Sequence, residues 1–136
     1  MARYPLLDTN VFLRHLRQDH ADFSPRATAY FEQIARGDLV VETSQPVIFE
    51  TVYTLQSFYK QTKADIRATL LPLVALPGIR LPNKRRLRRT FTLYVDYNLS
   101  FVDAYQAAFV LERGHPALVS FDRNYDRVPG VPRVEP

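Results

Sequence analysis

Short apolar runs alternate along this chain with longer segments of helical periodicity, and no other feature restricts its fold as much. Residues 4–7, Leu39-Val40-Val41, Ile79-Arg80-Leu81 and Ala117-Leu118-Val119-Ser120-Phe121 are too short for helices and too apolar for loops, so each reads as a strand. A first helix is carried by Val11, Phe12, Leu13 and Leu16. A second opens at Ser24-Pro25, an N-cap and first-turn pair, and stops at Gly37. The third, over residues 46–61 and led in by Ser44 or Gln45, places Ile48, Val52, Leu55 and Tyr59 on one stripe. Helices over 64–74 and 84–97 follow, then one opened by Ser100 and closed at Gly114. The proline-rich tail has room for an edge strand over 131–134 at most. Strands joined through helices form a parallel sheet covered on both faces, so the expected fold is an α/β sandwich with a short, mainly parallel sheet. With 136 residues and no repeat or linker, a single domain over 1–136 is expected.

Cysteine is absent, which excludes a disulfide framework, a thiolate zinc site and a cysteine nucleophile. The start of the chain lacks the apolar core of a secretory signal, and no window is long and uncharged enough for a membrane span. A soluble cytoplasmic protein with no membrane contact is expected. The net charge of +4 is local in origin: Arg80, Lys84, Arg85, Arg86, Arg88 and Arg89 fall within ten residues that contain no acid, and without those six the balance is −2. Such a patch suits a polyanion, and equally the solvated face of a helix.

Two strand ends carry an aspartate, Asp8 and Asp122, and in open parallel sheets ligands lie beyond those ends. Two further acids occupy helix positions among apolar neighbours. Glu50 stands between Val47 and Tyr53 and follows Phe49, a turn with no ordinary solvated face; Asp103 begins a stripe continued by Ala107 and Val110. Each has an ordinary reading by itself. Asp8 can cap a helix, Glu50 can reach solvent or an arginine, Asp103 fits a capping box with Ser100, and Asp122 fits an Asx-type turn. Together they predict one acidic crevice. Two carboxylates ~5 Å apart at an effective dielectric near 20 repel by roughly 3 kcal/mol, so four in one pocket require extra protons or a cation. Oxygen ligands suit Mg²⁺ or Mn²⁺, which phosphate oxygens of a substrate usually complete, and this predicts phosphodiester cleavage.

Four blocks resemble those of PIN domains, most closely the VapC-type ribonuclease toxins of toxin–antitoxin pairs. They are Leu6-Leu7-Asp8-Thr9-Asn10-Val11, Val47-Ile48-Phe49-Glu50-Thr51-Val52-Tyr53-Thr54-Leu55, Phe101-Val102-Asp103-Ala104-Tyr105-Gln106-Ala107-Ala108 and Ser120-Phe121-Asp122-Arg123-Asn124-Tyr125-Asp126-Arg127. The resemblance implies a three-layer α/β/α sandwich with Asp8, Glu50, Asp103 and Asp122 around Mg²⁺ or Mn²⁺. Asp8 and Asp103 would be direct ligands, and Glu50 and Asp122 would hold waters or a second ion. It also implies RNA hydrolysis leaving a 5′-phosphate and a 3′-hydroxyl, a cognate antitoxin and a homodimer. Thr9, Asn10 and Ser120 are candidates to hydrogen-bond the carboxylates. Relatives often carry an acid where this chain has Asn124, and Asp126 stands two residues beyond.

In that setting Lys84, Arg85, Arg88 and Arg89, two i,i+4 pairs, are the expected RNA contacts. Phe12, Tyr30 and Phe31 can line an antitoxin groove or simply form core. His15, His20 and His115 show no ligand spacing and read as surface or structural residues. The alternative to an enzyme is a catalytically inactive PIN-like RNA-binding or assembly module. A haloacid dehalogenase-type phosphatase would need a second acid where Asn10 stands, and a receiver domain a late lysine that the chain lacks after Lys84.

Overall fold

The computed structural model describes all 136 residues, which form two compact units, Met1–Pro82 and Asn83–Pro136. In the first unit, helices α1 (Thr9–Arg17) and α2 (Phe23–Ala35) precede strand β1 (Val41–Glu42); α3 (Gln45–Ser57), α4 (Lys63–Val74) and β2 (Ile79–Arg80) follow. β1 and β2 pair in parallel, with Val41 opposite Ile79 and Glu42 opposite Arg80. The expected first strand shrinks to a parallel bridge between Leu6 and Glu42, held by Leu7 N–H donating to Glu42 O (2.7 Å) and Glu42 N–H donating to Pro5 O (2.8 Å). Thr43 Oγ1, buried, donates to Leu7 O and secures the same segment. Gly78 is required by close approach: a Cβ there would lie 2.8 Å from Leu39 O and from Ile34 Cγ2.

The stripe expected on α3 is the one that is buried, with Ile48, Val52 and Leu55 fully enclosed and Tyr59 half-buried. Phe12 and Phe31 are enclosed as well, their ring centroids 5.3 Å apart, so neither can line an exposed groove, and only Tyr30 keeps partial exposure. α2 begins earlier than Ser24-Pro25 implies, because a histidine supplies the cap. His20 Nδ1 accepts from the N–H groups of Phe23 (2.9 Å) and Asp22 (3.2 Å), and Ser24 Oγ accepts from His20 N–H (3.2 Å). A ring nitrogen thus satisfies first-turn donors that a serine was expected to satisfy.

The second unit contains α5 (Lys84–Asp96), α6 (Phe101–Arg113), β3 (Leu118–Val119), a 3-10 helix (Arg123–Arg127) and β4 (Arg133–Val134). β3 and β4 pair in parallel, which makes a strand of the tail. α5 packs along α6 through Phe91, Tyr94 and Phe101, while Ala104, Ala107 and Ala108 let α6 approach its neighbours closely. Six helices with short parallel ladders make this an α/β fold, as expected. No helix is long and apolar enough to cross a membrane.

His15 gives the first unit a pH dependence. Its Nδ1 meets Thr28 Oγ1 at 2.8 Å and its ring lies 4.8 Å from that of Phe31. Burial lowers its pKa below the ordinary 6.5, with Glu32 partly opposing. The unfolded imidazole therefore takes its proton first as pH falls, so the unfolded state binds more protons below about pH 6.5 and stability declines there. The melting temperature is expected to fall between about pH 7.5 and 5.5, with a shallower slope in His15→Gln, measured by calorimetry across that range.

Candidate active site

Each unit carries two of the four acids. In the first, Asp8 follows the bridging segment and occupies the N-cap of α1 with extended backbone. Its carboxylate makes no capping hydrogen bond and is exposed, so the ordinary capping role is unfilled. The next residue, Thr9, is buried and donates its hydroxyl to Glu50 Oε2 at 3.0 Å, which ties the start of α1 to the middle of α3. The expectation that Glu50 is poorly hydrated is overturned. Glu50 is exposed and Tyr53 is 70% exposed, because the helix keeps aromatic residues on its solvent side. Periodicity counts an aromatic as core, although its large ring can remain in water at modest cost.

In the second unit the Ser100 hydroxyl accepts from Asp103 N–H (3.1 Å), the capping-box start expected for α6, and the Asp103 carboxylate receives another group. Tyr125 Oη donates to Asp103 Oδ1 at 3.1 Å. Tyr125 is buried, and its ionisation is pushed well above the usual phenol range, by burial first and then by Asp103 and Asp122. It therefore stays a donor at any physiological pH. Sequence reasoning gave Tyr125 no role, although a buried tyrosine must find a partner for its hydroxyl.

Asp122 builds the turn that delivers Tyr125. Its Oδ1 accepts from Asn124 N–H (2.8 Å) and caps the 3-10 helix, while its own N–H donates to Ser120 Oγ (2.9 Å). Ser120 thus positions the backbone of Asp122 and not its carboxylate. Asn124 is exposed and engages Asp122 through its main chain. Asp126 directs both carboxylate oxygens to Arg133, at 2.8 and 3.2 Å, and this ion pair holds its pKa below the usual carboxylate value.

The basic run divides. Arg85, Arg88 and Arg89 are exposed on α5 and Lys84 is half-buried. Arg86 instead forks onto Glu112 (2.8 and 2.9 Å), donates to Tyr105 Oη (3.0 Å) and lies 4.5 Å from the Phe109 centroid. It fastens α5 to α6 and so leaves the solvated patch.

Beside Asp8, a groove of about 740 Å³ runs between α1 and α2, with Asn10, Arg14, His20, Phe23 and Arg26 among its walls. As a donor set the four acids offer only carboxylate oxygens, which fit a hard cation such as Mg²⁺ or Mn²⁺. Neither unit by itself gathers three His, Asp or Glu side chains around a common point.

The chain matches the PIN domain family over residues 6–131, a stretch that includes residues of both units and all four acids. PIN domains are generally nucleases and commonly use Mg²⁺. Comparison with curated proteins gave no match.

Proposed function

The chain belongs to the PIN domain family, and on that premise we propose that it is a Mg²⁺- or Mn²⁺-dependent ribonuclease, the toxin of a toxin–antitoxin pair. In this reading the two units act as one PIN domain. The observation that carries it is that in each unit a hydroxyl holds one of the four predicted carboxylates, Thr9 on Glu50 and Tyr125 on Asp103, and each pair adjoins a second of the four, Asp8 or Asp122. Such a bond sets the direction in which the carboxylate presents its oxygens, as the outer partners of metal-binding carboxylates do.

Asp8 and Asp103 would ligate the ion, and Glu50 and Asp122 would position water. When bound, the cation supplies positive charge that offsets the carboxylates and the phosphodiester under attack. Thr9 fixes the rotamer of Glu50. Tyr125 donates to Oδ1 of Asp103, whose other oxygen would be free to hold the ion. The oxygen of a water attacks phosphorus, the bond to the 3′ oxygen breaks, and the products are a 5′-phosphate and a 3′-hydroxyl. The purified protein should cleave single-stranded RNA when Mg²⁺ or Mn²⁺ is present and not after chelation, with products that carry 5′-phosphate. Binding without cleavage under any metal would favour the inactive module. The toxin role, in the cytoplasm and as a homodimer, further requires a cognate antitoxin whose co-expression suppresses that cleavage.

Arg85, Arg88, Arg89 and Lys84 are assigned to substrate phosphates. Arg85→Glu/Arg89→Glu is expected to weaken RNA binding by roughly tenfold or more and to flatten the dependence of affinity on salt. Arg86→Ala should lower the melting temperature and leave the salt slope unchanged, because its guanidinium serves Glu112 and Phe109. Binding isotherms at several salt concentrations, with thermal melts of each variant, separate the two.

A further inference from the structure

The groove beside Asp8 holds chemistry that the acids do not use. Phe23, the first residue of α2, is 50% exposed on its wall, and the His20 ring lies flat against it with centroids 4.0 Å apart and planes 5° from parallel. The stack is anchored to the backbone, since His20 Nδ1 accepts from the Phe23 and Asp22 N–H groups and its own N–H is held by Ser24 Oγ. These rings form a fixed planar surface. The Arg26 guanidinium lies over the Phe23 ring, 5.8 Å from its centroid, and its contact with Asp22 is an exposed one at 3.3 Å. Asn10, exposed on the α1 side of the groove, offers a donor and an acceptor two residues from Asp8.

We propose that this groove is a nucleobase subsite. A base next to the scissile phosphodiester stacks on the His20–Phe23 pair as the exposed Arg26 side chain turns from the ring to a neighbouring phosphate. The identity of the strand as RNA rests on the nuclease reading above; the subsite itself rests on the groove. A rigid stacked ring pair bordered by a guanidinium suits a planar ring with an attached phosphate. The volume is within the range of small-ligand sites. Most of the remaining walls, among them Leu7, Val11, Ala27 and Tyr30, are apolar, so a protein segment is the competing occupant and the test below separates the two.

The test is fluorescence anisotropy of a labelled short single-stranded RNA in EDTA, so that cleavage does not consume the probe. Phe23→Ala and Phe23→Leu are expected to weaken binding about tenfold or more, while Phe23→Tyr retains it. Arg26→Gln should reduce the slope of log affinity against log salt by about one. Phe23→Leu keeps apolar bulk, so its melting temperature should stay near that of the parent and separate loss of stacking from loss of fold. Wild-type binding by Phe23→Leu overturns the subsite, as does absence of RNA binding by the parent, or loss of a protein partner with RNA affinity unchanged. Cleavage with Mn²⁺, measured alongside, keeps the two readings distinct. Cleavage with Phe23-independent binding sinks the subsite alone, whereas Phe23-dependent binding without cleavage sinks the nuclease alone.

Discussion

Asp8→Asn is expected to lower metal-dependent RNA cleavage by about a thousandfold while the protein melts within a degree or two of the parent. The fold should tolerate the change because the Asp8 carboxylate makes no capping hydrogen bond, and asparagine serves as well as aspartate at an N-cap. The catalytic loss follows from charge. An amide oxygen is a weaker ligand for a hard cation, and removing several kcal/mol of charge stabilisation corresponds to about three powers of ten in rate. Calorimetric titration with Mn²⁺ should show a matching fall in affinity. If Asp8 and Asp103 serve one ion, Asp8→Asn/Asp103→Asn is expected to be little worse than either single variant, because the first substitution already disables what the second would remove. Full losses that multiply would mean that the two acids work separately, and normal cleavage by Asp8→Asn would end the proposal.

The sequence makes legible whatever depends on neighbours along the chain. The α6 start followed from Ser100 and Asp103, three residues apart, and its cap has the expected bond. The parallel pairing followed from apolar runs separated by helices, although those runs overstated the strands, which narrow to two residues each. Pairs distant along the chain were out of reach. Arg86 and Glu112 are 26 residues apart, so a run of basic residues gave no sign that its third arginine lies over Phe109. The hydroxyl that holds Asp103 comes from 22 residues away. His20 was legible only as a surface or structural residue, because a ring nitrogen seldom caps a helix whose second residue is a serine. Periodicity also assigned Glu50 to an apolar turn, whereas helix α3 leaves Tyr53 in solvent and Glu50 with it.

The largest change in stability is expected from Phe91→Ala, about 3–5 kcal/mol. Phe91 is fully enclosed on α5 and meets the Phe101 ring edge-on at 4.9 Å; Tyr94 meets the same ring at 5.3 Å. Alanine forfeits the burial of an aromatic ring and leaves a void that close packing cannot fill without moving helix α6. That movement bears on chemistry, since Phe101 opens the turn of α6 on which Asp103 stands, two residues along. A stability of 5–15 kcal/mol is usual for a domain, so this one substitution removes a large share of it. Chemical denaturation should show the midpoint falling with little change in slope. Thr92→Ala, on the exposed side of the same helix, is expected to stay within about 0.5 kcal/mol of the parent. Mn²⁺ affinity measured where Phe91→Ala is still folded should fall as well, because Tyr125 can hold Asp103 only while the first turn of α6 keeps its place. Unchanged affinity would mean that Asp103 is held by its cap and by Tyr125 without support from the aromatic cluster beneath.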